Sequence, residues 1–373
     1  MASIDFTHAP YGDLKIVAMK GCEEIAKQVD YYLMQWRGTP EEKSFVIGAN
    51  CPRFGTGEAK GVFKHSARGL DAYIICDCFN YNVTYNMYGK EVPMSPDDHY
   101  QDLKRIIAAM GGKARRVNVI MPMLYEGRQH KRSGRESLDC AIMLQELIHM
   151  GVSNVFTFDA HDARVQNAIP YNGFEDIKTS YQMIKALKKA CPDIEFNKEK
   201  MIIVSPDEGG MSRCIFTSTV LGLELGMFYK KRNYSIIVDG RNPIEAHEYL
   251  GNSVEGKDII IIDDMISSGD SVIDVAKRLK ERKAGRIFVF VSFGLFTNGL
   301  ENFDKAYEEG LITKIFTTNM VYRTEELKKR DWYCEVDMSK YISYIIDTVN
   351  YDKSLSELLD PADRIKKFLA KHQ

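Results

Sequence analysis

Ile259-Ile-Ile-Ile-Asp-Asp-Met-Ile-Ser-Ser-Gly-Asp-Ser271 is the stretch on which the fold turns. Four consecutive isoleucines form an apolar run without alternation, as expected of a strand covered on both faces. Two acids follow at the strand's carboxyl end, the edge at which open α/β sheets hold their ligands. Ser267, Ser268, Gly269, Asp270 and Ser271 then offer backbone N–H groups and hydroxyls. The helical pattern from Val272 points its N-terminus at the same place, which makes an anion cradle suited to a phosphate. Asp263 and Asp264 suit ribose hydroxyls or a magnesium ion. A helix cap behind a strand, with solvated acids, accounts for each feature singly. Strand, acids, small residues and helix in this one order point to a binding site.

Working outward, short aliphatic runs alternate with helix-period segments. Strands are predicted over Ser44–Gly48, Ala72–Asp77, Val117–Pro122, Val155–Asp159, Ile202–Ser205, Met227–Tyr229, Ile236–Asp239, Ile259–Ile262 and Ile287–Ser292. Helices are predicted over His99–Met110, Leu138–Met150, Asp176–Ala190, Gly209–Leu225 and Val272–Lys283. Such alternation builds a parallel sheet with right-handed crossovers. The Asn- and Tyr-rich run Phe79–Ser95 lacks periodicity and is expected to be a long loop. The chain's 373 residues call for two domains. We expect boundaries at 1–170 and 171–349, followed by a helical tail over 350–373.

Bulk composition excludes several classes. Fifty Lys and Arg against 52 Asp and Glu give a net charge of −2, so no global basic field draws nucleic acid. The opening residues carry no basic start followed by an apolar run, and no stretch nears the roughly 20 apolar residues of a membrane helix. The eight cysteines are scattered, and Cys76-Asp-Cys78 falls inside an apolar run, so it reads as strand packing. Unpaired thiols fit a reducing cytoplasm. Neither a nucleic acid nor a membrane is expected as a partner.

Five further segments carry chemistry. Arg53-Phe-Gly-Thr-Gly-Glu58 is a glycine-containing turn with exposed charge. Gly127-Arg-Gln-His-Lys-Arg-Ser-Gly-Arg135 is dense in cations and has no apolar anchor, as a mobile segment closing on a polyphosphate would be. In Val155-Phe-Thr-Phe-Asp-Ala-His-Asp-Ala-Arg-Val-Gln166, His161 sits just past a strand. In Ile202-Ile-Val-Ser-Pro-Asp-Glu-Gly-Gly-Met-Ser-Arg213, Asp207 ends a strand and paired glycines open a helix. Phe228-Tyr-Lys-Lys-Arg-Asn233 puts cations at a strand end, with Lys231 facing away from Lys230 and Arg232 if the pleat persists.

The Ile259–Ser271 segment resembles the phosphoribosyl-diphosphate signature of type I phosphoribosyltransferases and of ribose-phosphate pyrophosphokinases. The other five resemble the second family, in its order, and Ile312–Arg323 adds a further likeness. The resemblance implies two tandem type I phosphoribosyltransferase-like α/β domains, each with a central, mostly parallel sheet flanked by helices. It implies transfer of the β,γ-diphosphoryl group of Mg-ATP to O1 of ribose 5-phosphate. Lys230 and Arg232 would be catalytic. Phe54, Thr56, Gly57, Glu58, Arg128, Gln129 and His161 would bind ATP. Asp263, Asp264 and Ser267–Ser271 would hold ribose 5-phosphate, and His161 and Asp207 would hold magnesium. A cytoplasmic homo-oligomer is implied, with the Thr56–Glu58 loop serving a neighbouring subunit's ATP site.

Departures from the family pattern are also legible. The ribose-phosphate loop starts on serine where the family has an acid, and Asp270 adds a charge to it. His130 stands in the cationic segment where the family has an acid. The alternatives are a phosphoribosyltransferase, a catalytically silent regulatory subunit, or the same chemistry on a larger ribose-5-phosphate derivative.

Overall fold

The computed structural model describes residues 9–39, 43–232 and 244–371, with the side chains of 230–232 and 244–247 left aside. The strand expected over Ile236–Asp239 lies outside the described residues. Two compact units divide the chain. The first runs to Lys178 and adds Asn319–Tyr322 and Asp337–Asp360; the second takes Thr179–Thr318, Arg323–Val336 and the residues from Pro361.

In the first unit, six parallel strands form one sheet: β1 (Asp13–Ala18), β2 (Val46–Ile47), β3 (Leu70–Ile75), β4 (Arg116–Ile120), β5 (Asn154–Phe158) and β6 (Gly173–Ile177). Their order is β6-β5-β4-β3-β1-β2. Every residue of β3 is buried, which is why its sequence shows no polar alternation. The expected boundary at 170 moves to 178 because Gly173–Ile177 adds an edge strand to this sheet. For the same reason the helix expected from Asp176 begins at Ser180.

The expected boundary at 349 also fails, and the cause is a buried carboxylate. Asp71 is fully buried on β3 and accepts from Arg116 Nε (2.8 Å), Arg116 Nη2 (2.7 Å), Asn118 Nδ2 (2.9 Å) and Tyr73 OH (2.9 Å). Its fifth donor is Asn350 Nδ2, at 2.8 Å, from the last turn of the Ser339–Asn350 helix. A buried charge is tolerated only when so compensated. That helix also packs along the Glu23–Arg37 helix, with Trp36 stacked on Tyr344 at 4.5 Å. The C-terminal segment therefore completes the first unit. Of the expected tail, Ser356–Leu359 stays with that unit, whereas the Ala362–Ala370 helix packs on two helices of the second.

Phe79–Ser95 is a hairpin, Thr84–Met87 against Lys90–Pro93, where a loop was expected. Tyr88 at φ 50° and Gly89 at φ 76° make its turn, a left-handed pair that no aliphatic period advertises. The next helix starts at Pro96, earlier than expected, because Ser95 and Asp98 close a reciprocal capping box.

The second unit holds a seven-stranded sheet: β7 (Met201–Ser205), β8 (Glu224–Arg232), β9 (Ile244–Leu250), β10 (Asp258–Ile266), β11 (Ile287–Gly294), β12 (Lys314–Thr318) and β13 (Tyr333–Val336). The order is β9-β8-β7-β10-β11-β12-β13, parallel except for the antiparallel β8–β9 pair. From β7 the chain proceeds to β8 on one side; from β10 it proceeds to β11 on the other. The loops leaving β7 and β10 therefore part, which opens the crevice where such sheets bind ligands.

Candidate functional site

The second unit builds its site at that crevice. Ser205, at the end of β7, donates to the Asp207 carbonyl at 2.7 Å. Asp207 Oδ1 accepts the N–H groups of Gly209 (2.9 Å) and Gly210 (3.3 Å), shaping the entry to the Met211–Leu221 helix. Cys214 on that helix donates to the Ile262 carbonyl at 3.6 Å, and Arg213 Nη2 lies 3.4 Å from Asp264 Oδ1. The Asp207 turn and the acids of β10 are thus tied to one sheet edge.

Asp264 is buried and Asp263 half-buried, with the Asp264 N–H donating to Asp263 Oδ1 at 2.8 Å. Burial first, then the neighbouring Asp264 carboxylate, push the Asp263 pKa well above the carboxylate range. Such a pair gains from an arriving cation or from hydroxyl donors.

The next loop is held at its start. Leu295 N donates to the Ile266 carbonyl and Thr297 N to that of Ser267, both at 2.9 Å. Gly269 has φ 89°, and a Cβ there would lie 2.0 Å from Phe303 Cζ, so the position excludes every other residue. The Asp270–Glu281 helix starts here without a side-chain cap. Apart from Asp270 N, which has a long 3.5 Å contact to Ser268 Oγ, its first-turn N–H groups are available to an anion. Asp270 is exposed on the first turn, where the helix dipole favours a carboxylate.

β8 brings Lys230 and Arg232 beyond the end of β7, since its last residue paired with that strand is Met227. The pairing with β9 shifts register between Lys231 and Arg232.

In the first unit, Phe54 N donates to the Glu58 carbonyl (2.7 Å), Gly57 N to that of Phe54 (2.9 Å), and Thr56 Oγ1 to Glu58 Oε2 (2.8 Å). This tight loop leaves the Phe54 ring 54% exposed. The 84–93 hairpin braces it. Tyr88 N donates to the Gly55 carbonyl at 2.8 Å, and a Cβ on Gly57 (φ 93°) would sit 2.8 Å from Met87 Sδ. Arg53 turns inward, bonding Asp102 Oδ2 at 2.9 Å with its guanidinium 4.5 Å from the Tyr85 ring centre, so it anchors the loop.

The cationic segment follows β4, and His161 follows β5 after Asp159, whose φ is 39°. Arg128 is exposed, while the Gln129 amide donates to the carbonyls of Lys131 (3.3 Å) and Ser137 (2.8 Å). The two stretches meet. His130 Nε2 lies 3.5 Å from Asp162 Oδ2, and its ring centre is 5.3 Å from that of His161.

Two family models match the chain. One describes the N-terminal domain of ribose phosphate pyrophosphokinase and covers residues 14–151; the other, a phosphoribosyl synthetase-associated domain, covers residues 237–360. The chain is an enzyme of the ribose-phosphate pyrophosphokinase family.

A ribose-phosphate pyrophosphokinase from Vibrio cholerae is 25% identical over 353 residues, 93% of this chain and 99% of that one. One from Mycoplasma genitalium is 28% identical over 292 residues, 75% of this chain and 81% of that one. The crystal structure of phosphoribosylpyrophosphate synthetase from Mycobacterium smegmatis superposes with a TM-score of 0.74 at 19% identity, covering 91% of this chain and 99% of that one. The fold is thus the family's pair of phosphoribosyltransferase-like domains.

Within this pyrophosphokinase-family chain the structure gathers Asp207, Asp263, Asp264 and Ser267–Ser271 on one sheet edge of the second unit. In the first, the segment carrying Arg128 and Gln129 meets the turn carrying His161 through His130, and Phe54–Glu58 form a separate loop. His161 and Asp207 belong to different units, and each is described in its own. Among the described residues no cluster of three or more His, Cys, Asp or Glu makes a metal cage. A lone carboxylate such as Asp207 is a usual kind of magnesium contact, because the ion commonly takes one or two carboxylates and completes its shell with substrate phosphates and water. Sequence reasoning gave no role to Arg213 or Asp162. Arg213 closes the segment that carries Asp207, and Asp162 is adjacent to His161, so sequence position alone was the available signal.

Proposed function

We propose that this protein transfers the β,γ-diphosphoryl group of ATP to O1 of ribose 5-phosphate, giving phosphoribosyl diphosphate and AMP. The observation that carries the reading is the β10 edge: two abutting carboxylates followed by a glycine-dependent loop that opens onto an uncapped helix N-terminus. The loop over Ser267–Ser271 takes the 5-phosphate through backbone N–H groups and hydroxyls. Asp263 and Asp264 take the ribose hydroxyls or a magnesium ion. Asp207 and His161 hold magnesium, which when bound neutralises charge on the polyphosphate.

The sugar O1 attacks the β-phosphorus in line and loses its proton. The bond from that phosphorus to the α,β-bridging oxygen breaks, and AMP leaves with the oxygen. Lys230 and Arg232 stabilise charge on the bridging and equatorial oxygens, and Arg128 and Gln129 hold ATP phosphates. Phe54 offers an exposed ring to the adenine, beside Thr56–Glu58. A homo-oligomer, with that loop serving a neighbour's site, and a cytoplasmic setting complete the proposal. No described helix is long and apolar enough to cross a membrane.

Incubating the purified protein with Mg-ATP and ribose 5-phosphate tests this. AMP and phosphoribosyl diphosphate in equal amounts, without any nucleobase present, are expected. No AMP overturns the reading in favour of a silent subunit or a different acceptor.

A further inference from the structure

The cationic segment presents a contrast. Residues 131–137 are all exposed, as is Arg128, yet the His130 side chain keeps only 12% of its surface. It is seated on the turn after β5: Nε2 lies 3.5 Å from Asp162 Oδ2, and the ring packs at 5.3 Å from that of His161. Asp162 is fixed in turn by Arg164, through Nε at 2.9 Å, while accepting the Arg164 N–H at 2.9 Å. His130 Nδ1 is buried and has no hydrogen-bond partner among the described residues. An unpaired buried nitrogen costs free energy, so the ring is held here by what Nε2 and the ring face gain from Asp162 and His161.

We propose that His130 is a positioning residue for the nucleotide's phosphates, seating the segment that carries Arg128 and Gln129 on the turn that carries His161. The inference rests on the reading of those three residues as ATP contacts. The gain is entropic. A glycine- and cation-rich segment without apolar anchors pays heavily to be ordered by its ligand. A single pre-made contact one residue from Gln129 removes part of that cost. The contact is local to β4 and β5 loops of one unit, so it does not need the second.

His130→Ala and His130→Gln test this, with Arg128→Ala as the control on the underlying reading. The His130→Ala protein is expected to raise KM for Mg-ATP about tenfold. KM for ribose 5-phosphate and kcat at saturating ATP should stay within about twofold, on the same scale. Trypsin should cut after Arg128, Lys131, Arg132 or Arg135 several times faster, with saturating Mg-ATP restoring protection. His130→Gln keeps an N–H donor within reach of Asp162, so it should recover most of both effects. Asp162→Asn should reproduce His130→Ala and add little to it in the double variant. Wild-type KM for ATP together with a wild-type cleavage rate in His130→Ala overturns the proposal, as does full additivity with Asp162→Asn. If Arg128→Ala leaves KM for ATP unchanged, the ATP reading of the segment fails instead. The cleavage rates then still report whether His130 seats it, and no change in them overturns that seating. If His130→Ala does not fold, His130→Gln and Asp162→Asn carry the same comparison.

Discussion

Replacing Gly269 by alanine puts a methyl group where the fold has no room. Its φ of 89° is one that an L-residue adopts only at a cost of about 1–2 kcal/mol. The added Cβ would stand 2.0 Å from Phe303 Cζ, far inside contact distance. Phe303 cannot swing aside freely: it is fully buried, with ring centres 5.6 Å from Trp332 and 5.1 Å from Phe296. Forcing that cluster apart is overpacking, about 1–3 kcal/mol. The sum, about 2–5 kcal/mol, is a large part of a typical domain's stability. Denaturant unfolding of Gly269→Ala and Gly269→Ala/Phe303→Leu measures it, with calorimetric binding of ribose 5-phosphate alongside. We expect a lower midpoint in the single variant, partial recovery in the double, and weak ribose 5-phosphate binding in both, because the backbone cost at the loop remains. A Gly269→Ala protein with wild-type midpoint and affinity would refute the close approach and the loop's dependence on it.

The same geometry sets other outcomes. Lys230→Ala should lower kcat at least about 100-fold, the scale of losing a transition-state charge partner, with the far-ultraviolet circular dichroism unchanged; near-normal turnover would remove it from the reaction. Asp71→Ala leaves Arg116 buried without its bidentate partner and should destabilise the first unit by about 3–5 kcal/mol in urea unfolding, whereas a loss below about 1 kcal/mol would mean that Asp352 and Val349 suffice. Asp263 binds its proton more tightly folded than unfolded, so it makes stability fall as pH rises from the ordinary carboxylate value, about pH 4, through neutrality. Asp263→Asn should therefore raise the unfolding midpoint at pH 8 and leave it nearly unchanged at pH 4; equal shifts at both would contradict the sign.

Much of the site was legible because strand ends announce it. The apolar runs at Ile202–Val204 and Ile259–Ile262 are buried on both faces. The residues just past each run must sit at the sheet's carboxyl edge, so Asp207, Asp263 and the Ser267–Ser271 loop could be placed by reading alone. Edge strands were harder. Gly173–Ile177 is only partly buried for most of its length, so it lacks the continuous apolar run of a central strand. The 84–93 hairpin hides for the opposite reason: its turn depends on left-handed backbone at Tyr88, which residue type does not signal.

By itself, then, the sequence determined the alternation of strands and helices, the two-domain count, and which residues stand at the ends of the buried strands, because burial on both faces leaves a local mark. Only the tertiary structure decided that the Ser339–Asn350 helix returns to the first unit, that Arg53 is an anchor for its loop, and that His130 rests on the turn carrying His161. Each depends on a partner tens to hundreds of residues away. Asp71 and Asn350, 279 positions apart, state the reason plainly: a buried charge must be satisfied by whatever the fold brings to it, and nothing local in either segment names the other.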